Sequence, residues 1–95
     1  MAKICTGEEQ LDGVEGQIVE LKYYILEQKV FYEDLNEELT AYGLEIEKRD
    51  NTMTETSKIE DITCNKKEID EITRMLKDNK VLPVHLNDVV LDMLS

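Results

Sequence analysis

The sequence predicts an α+β domain in which a three-stranded antiparallel sheet, with four strands as the alternative, packs against two C-terminal helices. Two observations support this fold class. Apolar and polar residues alternate through much of residues 18–62, which is typical of strands. From Asn65 onward the apolar residues instead recur at a helical spacing. A chain of 95 residues is long enough for one small core.

Residues 1–17 are predicted to be a polar, flexible lead-in to a single compact domain that spans residues 18–95. Three glycines interrupt this segment and four acidic residues keep it polar. Leu11 and Val14 are isolated apolar positions that form no continuous face. We therefore expect that removing the first part of the chain, residues 1–16, leaves the fold intact.

The first predicted strand, residues 18–27, is apolar on both faces. Its period-two pattern separates two sets of apolar residues, Leu21, Tyr23 and Ile25 on one face and Tyr24 and Leu26 on the other. Only one of these faces can meet the helices, so the other requires a cover, which is either a second copy or a partner. A helix is the alternative for this segment, because several of its apolar residues also fit a 3.6-residue period.

The second predicted strand, residues 42–48, has one buried and one solvent-exposed face. Tyr42, Leu44 and Ile46 lie on the predicted buried face, as expected for an antiparallel strand that packs on one side only. Gly43 within this strand indicates a bulge or the close approach of a neighbour.

The segments that flank this strand are more polar. The acidic run Glu33–Glu38 predicts a loop or a wide hairpin turn, and residues 30–40 remain open between strand and loop. Residues 54–62 are rich in threonine and charge, which fits an edge strand, because charges on an edge discourage further pairing.

Two helices are predicted in the last third of the chain. Asn65, followed three residues later by Glu68, forms a capping-box start, with Thr63 as the alternative N-cap. Pro83 is well placed to begin the second helix. The apolar stripes comprise Ile69, Ile72 and Leu76 in the first helix and Leu86, Val89, Val90, Met93 and Leu94 in the second. We expect the second stripe, apart from its last residue, to be largely buried against the sheet.

The charge of the chain restricts its partners. Eleven basic and 22 acidic residues give a formal net charge of −11. Nucleic-acid backbones and anionic membranes both require clustered Lys and Arg, so we expect direct binding to neither. Two copies also repel each other, and the sequence predicts a monomer or a weak homodimer that added salt strengthens.

The two cysteines suit a reducing compartment. Cys5 and Cys64 form no C-x-x-C pair, and the N-terminus lacks the apolar stretch of an export signal. No window approaches the length of a membrane span. A cytoplasmic protein with two free thiols is the simplest interpretation.

No motif in the sequence predicts catalysis, a cofactor or a metal site. His85 is the single histidine, and Asp88 three residues later could orient it as a base or ligand, but an ordinary helix residue has the same pattern. A helix N-terminus next to Cys64 would favour mild reactivity of this thiol, yet nothing in the sequence places it near His85. Acidic pairs are frequent and lie in polar surroundings, unlike a catalytic acid with a raised pKa.

An aromatic cluster is the candidate interaction surface. Tyrosine and phenylalanine give a large contact area at low entropic cost, although ordinary sheet packing explains the same residues. The candidate residues are Tyr23, Tyr24, Phe31, Tyr32 and Tyr42.

The chain resembles a family of small proteins of unknown function from clostridia and related Firmicutes. The matching stretches, spread over residues 24–95, are Tyr24–Glu27, Tyr42–Lys48, Ile59–Thr63 and, most specifically, Val84–Leu94. The first seventeen residues lie outside the resemblance. The resemblance implies a shared fold and a bacterial host, and it transfers no catalytic residue.

The function expected from the sequence is that of a small non-enzymatic, cytoplasmic protein-interaction or regulatory module. One alternative is an acidic nucleic-acid mimic that acts on a basic DNA- or RNA-binding partner. Lysines and an arginine interrupt the strands and argue against the regular carboxylate rows that such a mimic needs. A second alternative is a minor enzyme that uses His85, for which this side chain must open into a cleft.

Overall fold

A computed structural model describes residues 2–94, and it confirms the α+β class. Its elements are β1 (Ala2–Asp12), β2 (Ile18–Tyr32), β3 (Glu37–Arg49), β4 (Thr54–Thr63), α1 (Lys66–Asp78) and α2 (Leu86–Leu94), with short 3-10 turns at Val14–Gly16 and Pro83–His85. The strands form one antiparallel sheet in the order β1-β2-β3-β4. The four-stranded alternative is therefore the one the chain adopts. Among residues 2–94, no helix has both the length and the apolar character to cross a membrane.

The fourth strand comes from the segment that the sequence analysis assigned to the lead-in, and this part of the prediction is wrong. β1 pairs with β2 from Ala2 opposite Glu27 to Asp12 opposite Ile18, with one register shift at Thr6. The hydroxyl of Thr6 donates to the Tyr23 carbonyl oxygen at 3.2 Å. β1 is an edge strand whose side chains are mostly exposed, so its sequence carries little apolar alternation. The flexibility of the segment stays a prediction.

One face of the sheet carries the core. The alternation predicted for β2 and β3 is confirmed, because Leu21, Tyr23 and Ile25 are buried, and the last two lie opposite the buried residues Ile46 and Leu44. The helices contribute their own buried residues to the same cluster, namely Ile69, Ile72, Leu76, Leu86 and Val90. Burial of these mostly aliphatic side chains drives folding of the domain.

A bulge separates the two halves of the β3–β4 pairing. The register shifts between Tyr42 and Leu44, and a Cβ atom at Gly43 would overlap the carbonyl oxygen of Ile59 and lie 2.9 Å from Cα of Glu60. The prediction of a bulge or close approach at Gly43 is confirmed. Asp61 has a φ of 57° next to this bulge, so the end of β4 bends before it leads into α1.

The first helix begins where the sequence predicted, whereas α2 begins at Leu86, three residues after the predicted start at Pro83. Asn65 is the N-cap of α1, and its side-chain oxygen accepts a hydrogen bond from the Glu68 amide at 3.1 Å. Pro83 starts the 3-10 turn that leads into α2. The prediction that Met93 is largely buried is wrong, since 39% of this residue is exposed. Val90, in the same stripe, is buried as predicted. α2 ends shortly beyond Met93 and packs on the sheet through its first two turns.

Strands β2 and β3 extend beyond their neighbours as a two-stranded ribbon. β1 starts its pairing at Glu27 and β4 ends its pairing at Tyr42, so residues 28–41 have no further strand beside them within the described part of the chain. Five residue pairs, from Gln28–Ala41 to Tyr32–Glu37, hold the ribbon together. We call residues 28–41 the arm. The predicted loop at residues 33–38 is shorter than expected, because the turn itself comprises residues 33–36.

Candidate interaction surface

The five aromatic residues predicted as an interaction surface do not lie together. Tyr23 is 1% exposed within the core, and its phenol donates to the Val81 carbonyl oxygen at 3.0 Å. Burial raises the pKa of Tyr23 to about 12. The assignment of Tyr23 to a surface is wrong, because the period-two pattern turns this residue towards the helices and Tyr24 away from them.

Tyr24 lies on the open face of the sheet, which is the face opposite the helices. The ammonium of Lys3 stands 4.3 Å from the Tyr24 ring centroid and forms an ion pair with Glu45. The Tyr24 phenol donates to Glu47 at 3.2 Å, and Glu47 also pairs with Arg49. Burial and the hydrogen bond to Glu47 raise the pKa of Tyr24.

This polar network lies on the face of β2 that carries Tyr24 and Leu26, for which the sequence predicted a cover. Leu26 lies on the open face and is only 4% exposed, although no helix packs there. Lys3 lies opposite Leu26 in the β1–β2 register, and Tyr24 lies two residues before Leu26 on the same face of β2. A second copy is therefore not required to bury the open face of β2.

Tyr42 is part of the domain body. It lies on the helix side of β3, half-buried and packed against the core. The ammonium of Lys66, in the first turn of α1, stands 5.9 Å from the Tyr42 ring centroid. Ordinary sheet and helix packing accounts for this residue.

Phe31 and Tyr32 belong to the arm, where the structure gathers exposed apolar and acidic groups. Phe31 is 57% exposed and Leu35, in the turn, is 60% exposed. Residues 30–39 contain four carboxylates and no Lys or Arg. None of the side chains between residues 28 and 40 is fully buried. The end of the arm thus presents large apolar side chains within a negatively charged rim.

Tyr32 ties the arm to the domain body. Its phenol oxygen lies 3.4 Å from the Asp61 carboxylate and 3.6 Å from the Cys64 sulfur. The hydrogen bond with Cys64, followed by desolvation and the charge of Asp61, raises the pKa of Tyr32 to about 12. The bent end of β4 brings Asp61 and Cys64 within reach, because the left-handed backbone at Asp61 redirects the chain.

The candidate catalytic groups lie on different elements and are exposed. His85 ends the 3-10 turn before α2 and is exposed. Cys64 precedes the N-cap of α1 and contacts Tyr32, and Cys5 lies in β1, and both thiols are free and exposed. Across residues 2–94, no three His, Cys, Asp or Glu side chains cluster in a way that could hold a metal ion.

Sequence reasoning found the aromatic residues of the arm but missed the arm itself. The signal that could have found it is Leu35, a large apolar residue inside the acidic run Glu33–Glu38. A solvated turn has no need of such a side chain, and an exposed Leu35 four residues after an exposed Phe31 indicates an exposed apolar site.

Comparison with known proteins gives one relationship. The model of a family of unknown function, DUF6514, matches residues 2–95, so the chain belongs to this family. The match includes β1, which the resemblance seen in the sequence did not reach. No curated protein and no solved structure matches the chain significantly.

Proposed function

We propose that this member of DUF6514 is a non-enzymatic, cytoplasmic protein-interaction module in a bacterial cell, and that it binds a basic protein partner through the end of its arm. The observation that carries the proposal is the pairing of exposed Phe31 and Leu35 with four carboxylates and no basic residue in residues 30–39. The two free thiols, both exposed, suit the reducing environment of the cytoplasm.

The apolar component of the arm supplies binding energy. Phe31 and Leu35 are more than half exposed, and burial of each on binding is worth roughly 1–2 kcal/mol. A few large side chains of this kind dominate the energetics of interfaces when they fill pockets on a partner. An isolated two-stranded ribbon is itself only marginally stable in water, so a partner that buries it also stabilises it.

The charge of the arm selects the partner. Glu33, Asp34, Glu37 and Glu38 all lie within three residues of Leu35 in the sequence, Glu38 is paired with Phe31 across the ribbon, and each of these four residues is exposed. Opposite charge on a partner accelerates encounter and disfavours acidic competitors. The partner that fits is a protein with an apolar pocket and a rim of Lys and Arg.

The tie between Tyr32 and the end of β4 favours binding because it limits the motion of the arm. Contacts to Asp61 and Cys64 restrict the end of the ribbon before any partner arrives. Preorganisation of this kind lowers the entropy that is lost on binding.

The same structure argues against the nucleic-acid mimic. Glu45 and Glu47 on the open face are paired with Lys3 and Arg49, so that face presents neutralised pairs. The four carboxylates of residues 30–39 share that stretch with the exposed side chains of Phe31 and Leu35, and a phosphate backbone has no such apolar groups.

Site-specific photo-crosslinking in a native bacterial host tests the proposal. A photoreactive amino acid replaces Leu35 in one variant and Met53 in another. Met53 is 55% exposed and lies in the β3–β4 turn, so it matches Leu35 in exposure at a different turn. We expect a discrete crosslinked protein of high isoelectric point at position 35 and none at position 53.

Competition distinguishes a specific site from chance contact. Excess wild-type protein should abolish the crosslink at position 35, whereas excess Phe31→Ser/Leu35→Ser variant should leave it. The Met53→Ser variant is the matched control and should compete like the wild type. The proposal fails if position 35 yields no crosslink, or if the double variant competes as well as the wild type.

A further inference from the structure

We infer that the arm binds its partner by β-strand addition, in which an extended basic segment of the partner pairs with the outer edge of β3 at residues 37–40. This inference rests on the proposed function and specifies how that same site recognises its partner. Strand addition of this kind derives affinity from main-chain hydrogen bonds and specificity from alternate side chains.

The outer edge of β3 in the arm is unpaired. β4 follows β3 only as far as Tyr42, where Thr63 is the last paired residue. The chain then turns away, because Asn65 caps α1 two residues later. Within the described residues, no strand pairs with the outer side of residues 37–41. An added segment would therefore occupy the position beside β3 that β4 would fill if it continued past Thr63.

The opposite edge of the arm is a poorer site. On β2 the corresponding track is an extension of β1, whose pairing reaches Glu27 at Ala2. The charged residue of β2 within the arm is Lys29, which repels a basic segment. Both carboxylates of the paired part of the arm, Glu37 and Glu38, stand on β3 itself.

The register defines the chemistry of the segment. Neighbouring residues of a strand point to opposite faces, so Glu37 and Leu39 share one face while Glu38 and Thr40 share the other. Directly opposite residues of an added strand lie within reach of these side chains. The segment that fits carries a Lys or Arg opposite each glutamate and an apolar residue opposite Leu39.

Charge also excludes the commonest competitor for a free edge. Exposed edges tend to pair with another copy of the same chain, and natural proteins prevent this with charges. Two arms together would bring eight carboxylates of residues 30–39 side by side, four from each copy, with no basic residue among them. The same glutamates that repel a second arm attract a basic strand.

Backbone amide hydrogen exchange with a synthetic peptide tests the inference. The probe is acetyl-Thr-Val-Lys-Lys-Val-Thr-amide, which in an antiparallel register places its lysines opposite Glu38 and Glu37 and its first valine opposite Leu39. We expect millimolar peptide to slow exchange of amides in residues 37–40. The Glu37→Lys/Glu38→Lys variant should bind the peptide about tenfold more weakly. Glu55→Lys/Glu60→Lys on β4 carries the same charge change and should bind like the wild type.

An N-methylated version of the peptide separates strand addition from charge attraction. The methyl groups are placed on the N–H groups that would face β3, while both lysines are kept. This peptide cannot pair with the edge of β3, so we expect it to give no protection in the arm. Equal protection by the two peptides, or protection by neither, overturns the inference. These results are distinguishable from failure of the proposed function, because the crosslink at position 35 depends on the arm end and not on backbone pairing.

Discussion

The phenol of Tyr23, in the middle of β2, donates a hydrogen bond to the carbonyl oxygen of Val81 at 3.0 Å. Val81 lies in the link between α1 and the 3-10 turn, 58 residues further along the chain. The bond thus joins the sheet to the segment that positions α2. The bond is partly buried, so loss of the phenol leaves the half-buried Val81 without the hydrogen bond to its carbonyl.

Tyr23→Phe should lower the free energy of unfolding by about 1–2 kcal/mol at pH 7, because the carbonyl of Val81 loses its donor while the ring still fills its space. Urea denaturation measures the change. An unaltered midpoint would contradict the importance of this bond.

The same residue gives the domain a sensitivity to alkaline pH. Burial holds the pKa of Tyr23 near 12 in the fold against an ordinary value of 10.0. The fold favours the neutral phenol over the phenolate. The stability that Tyr23 contributes is therefore complete below pH 10 and is lost as the pH rises through 12. Wild type and Tyr23→Phe should therefore converge in stability across that interval. Parallel stability curves would contradict the assignment.

Two glycines should respond differently to alanine. A Cβ atom at Gly43 meets the backbone of Ile59 and Glu60, which cannot move without shifting β4. A Cβ atom at Gly7 meets the flexible side chain of Lys77. We expect Gly43→Ala to cost about 2 kcal/mol or more and Gly7→Ala less than about 1 kcal/mol. Equal thermal stability of the two variants would contradict the close approach at Gly43.

Removal of β1 should destabilise the domain. Deletion of residues 1–12 exposes the edge of β2 and uncovers the side of the core next to Leu11. A loss of about 2 kcal/mol corresponds to a fall of at least about 8 °C in Tm for a domain of this size. Calorimetry measures it, and an unchanged Tm would restore the expectation that this segment is dispensable.

The buried and exposed sides of α2 should differ in their tolerance of charge. Val90 is 2% exposed and packs in the core, whereas Leu91, the next residue, is 66% exposed. Val90→Asp should cost about 3 kcal/mol or more, because it buries an unpaired carboxylate, and Leu91→Asp should change stability by less than about 1 kcal/mol. Thermal denaturation of the pair checks the packing, and similar losses in both variants would count against it.

Much of the body of the fold was predictable because its signals are local. The alternation of Leu21, Tyr23 and Ile25, the glycine at position 43 and the cap at Asn65 each act within a few residues. β1 was not predictable in this way, since an edge strand needs only backbone pairing and carries few apolar side chains. The burial of Met93 was not predictable for a different reason: helical periodicity predicts which residues share a face, but not how deeply each of them is buried.

The candidate surface was predictable in composition but not in placement. Sequence proximity grouped Tyr23 with Tyr24, whereas the strand period sends them to opposite faces. The arm depends on where β1 and β4 stop, which is set by the lengths of four strands together. The salt-strengthened dimer stays a prediction, and sedimentation equilibrium at low and high salt remains its test.

The most direct test of the account is removal of the arm. Replacement of residues 29–40 by Asn-Gly joins Gln28 to Ala41 through a tight hairpin turn and removes no fully buried residue. The account predicts that this variant keeps the Tm of the wild type within about 4 °C and no longer binds the basic protein that crosslinks to the photoreactive residue at position 35. A folded, arm-less variant that still retains that protein would contradict it.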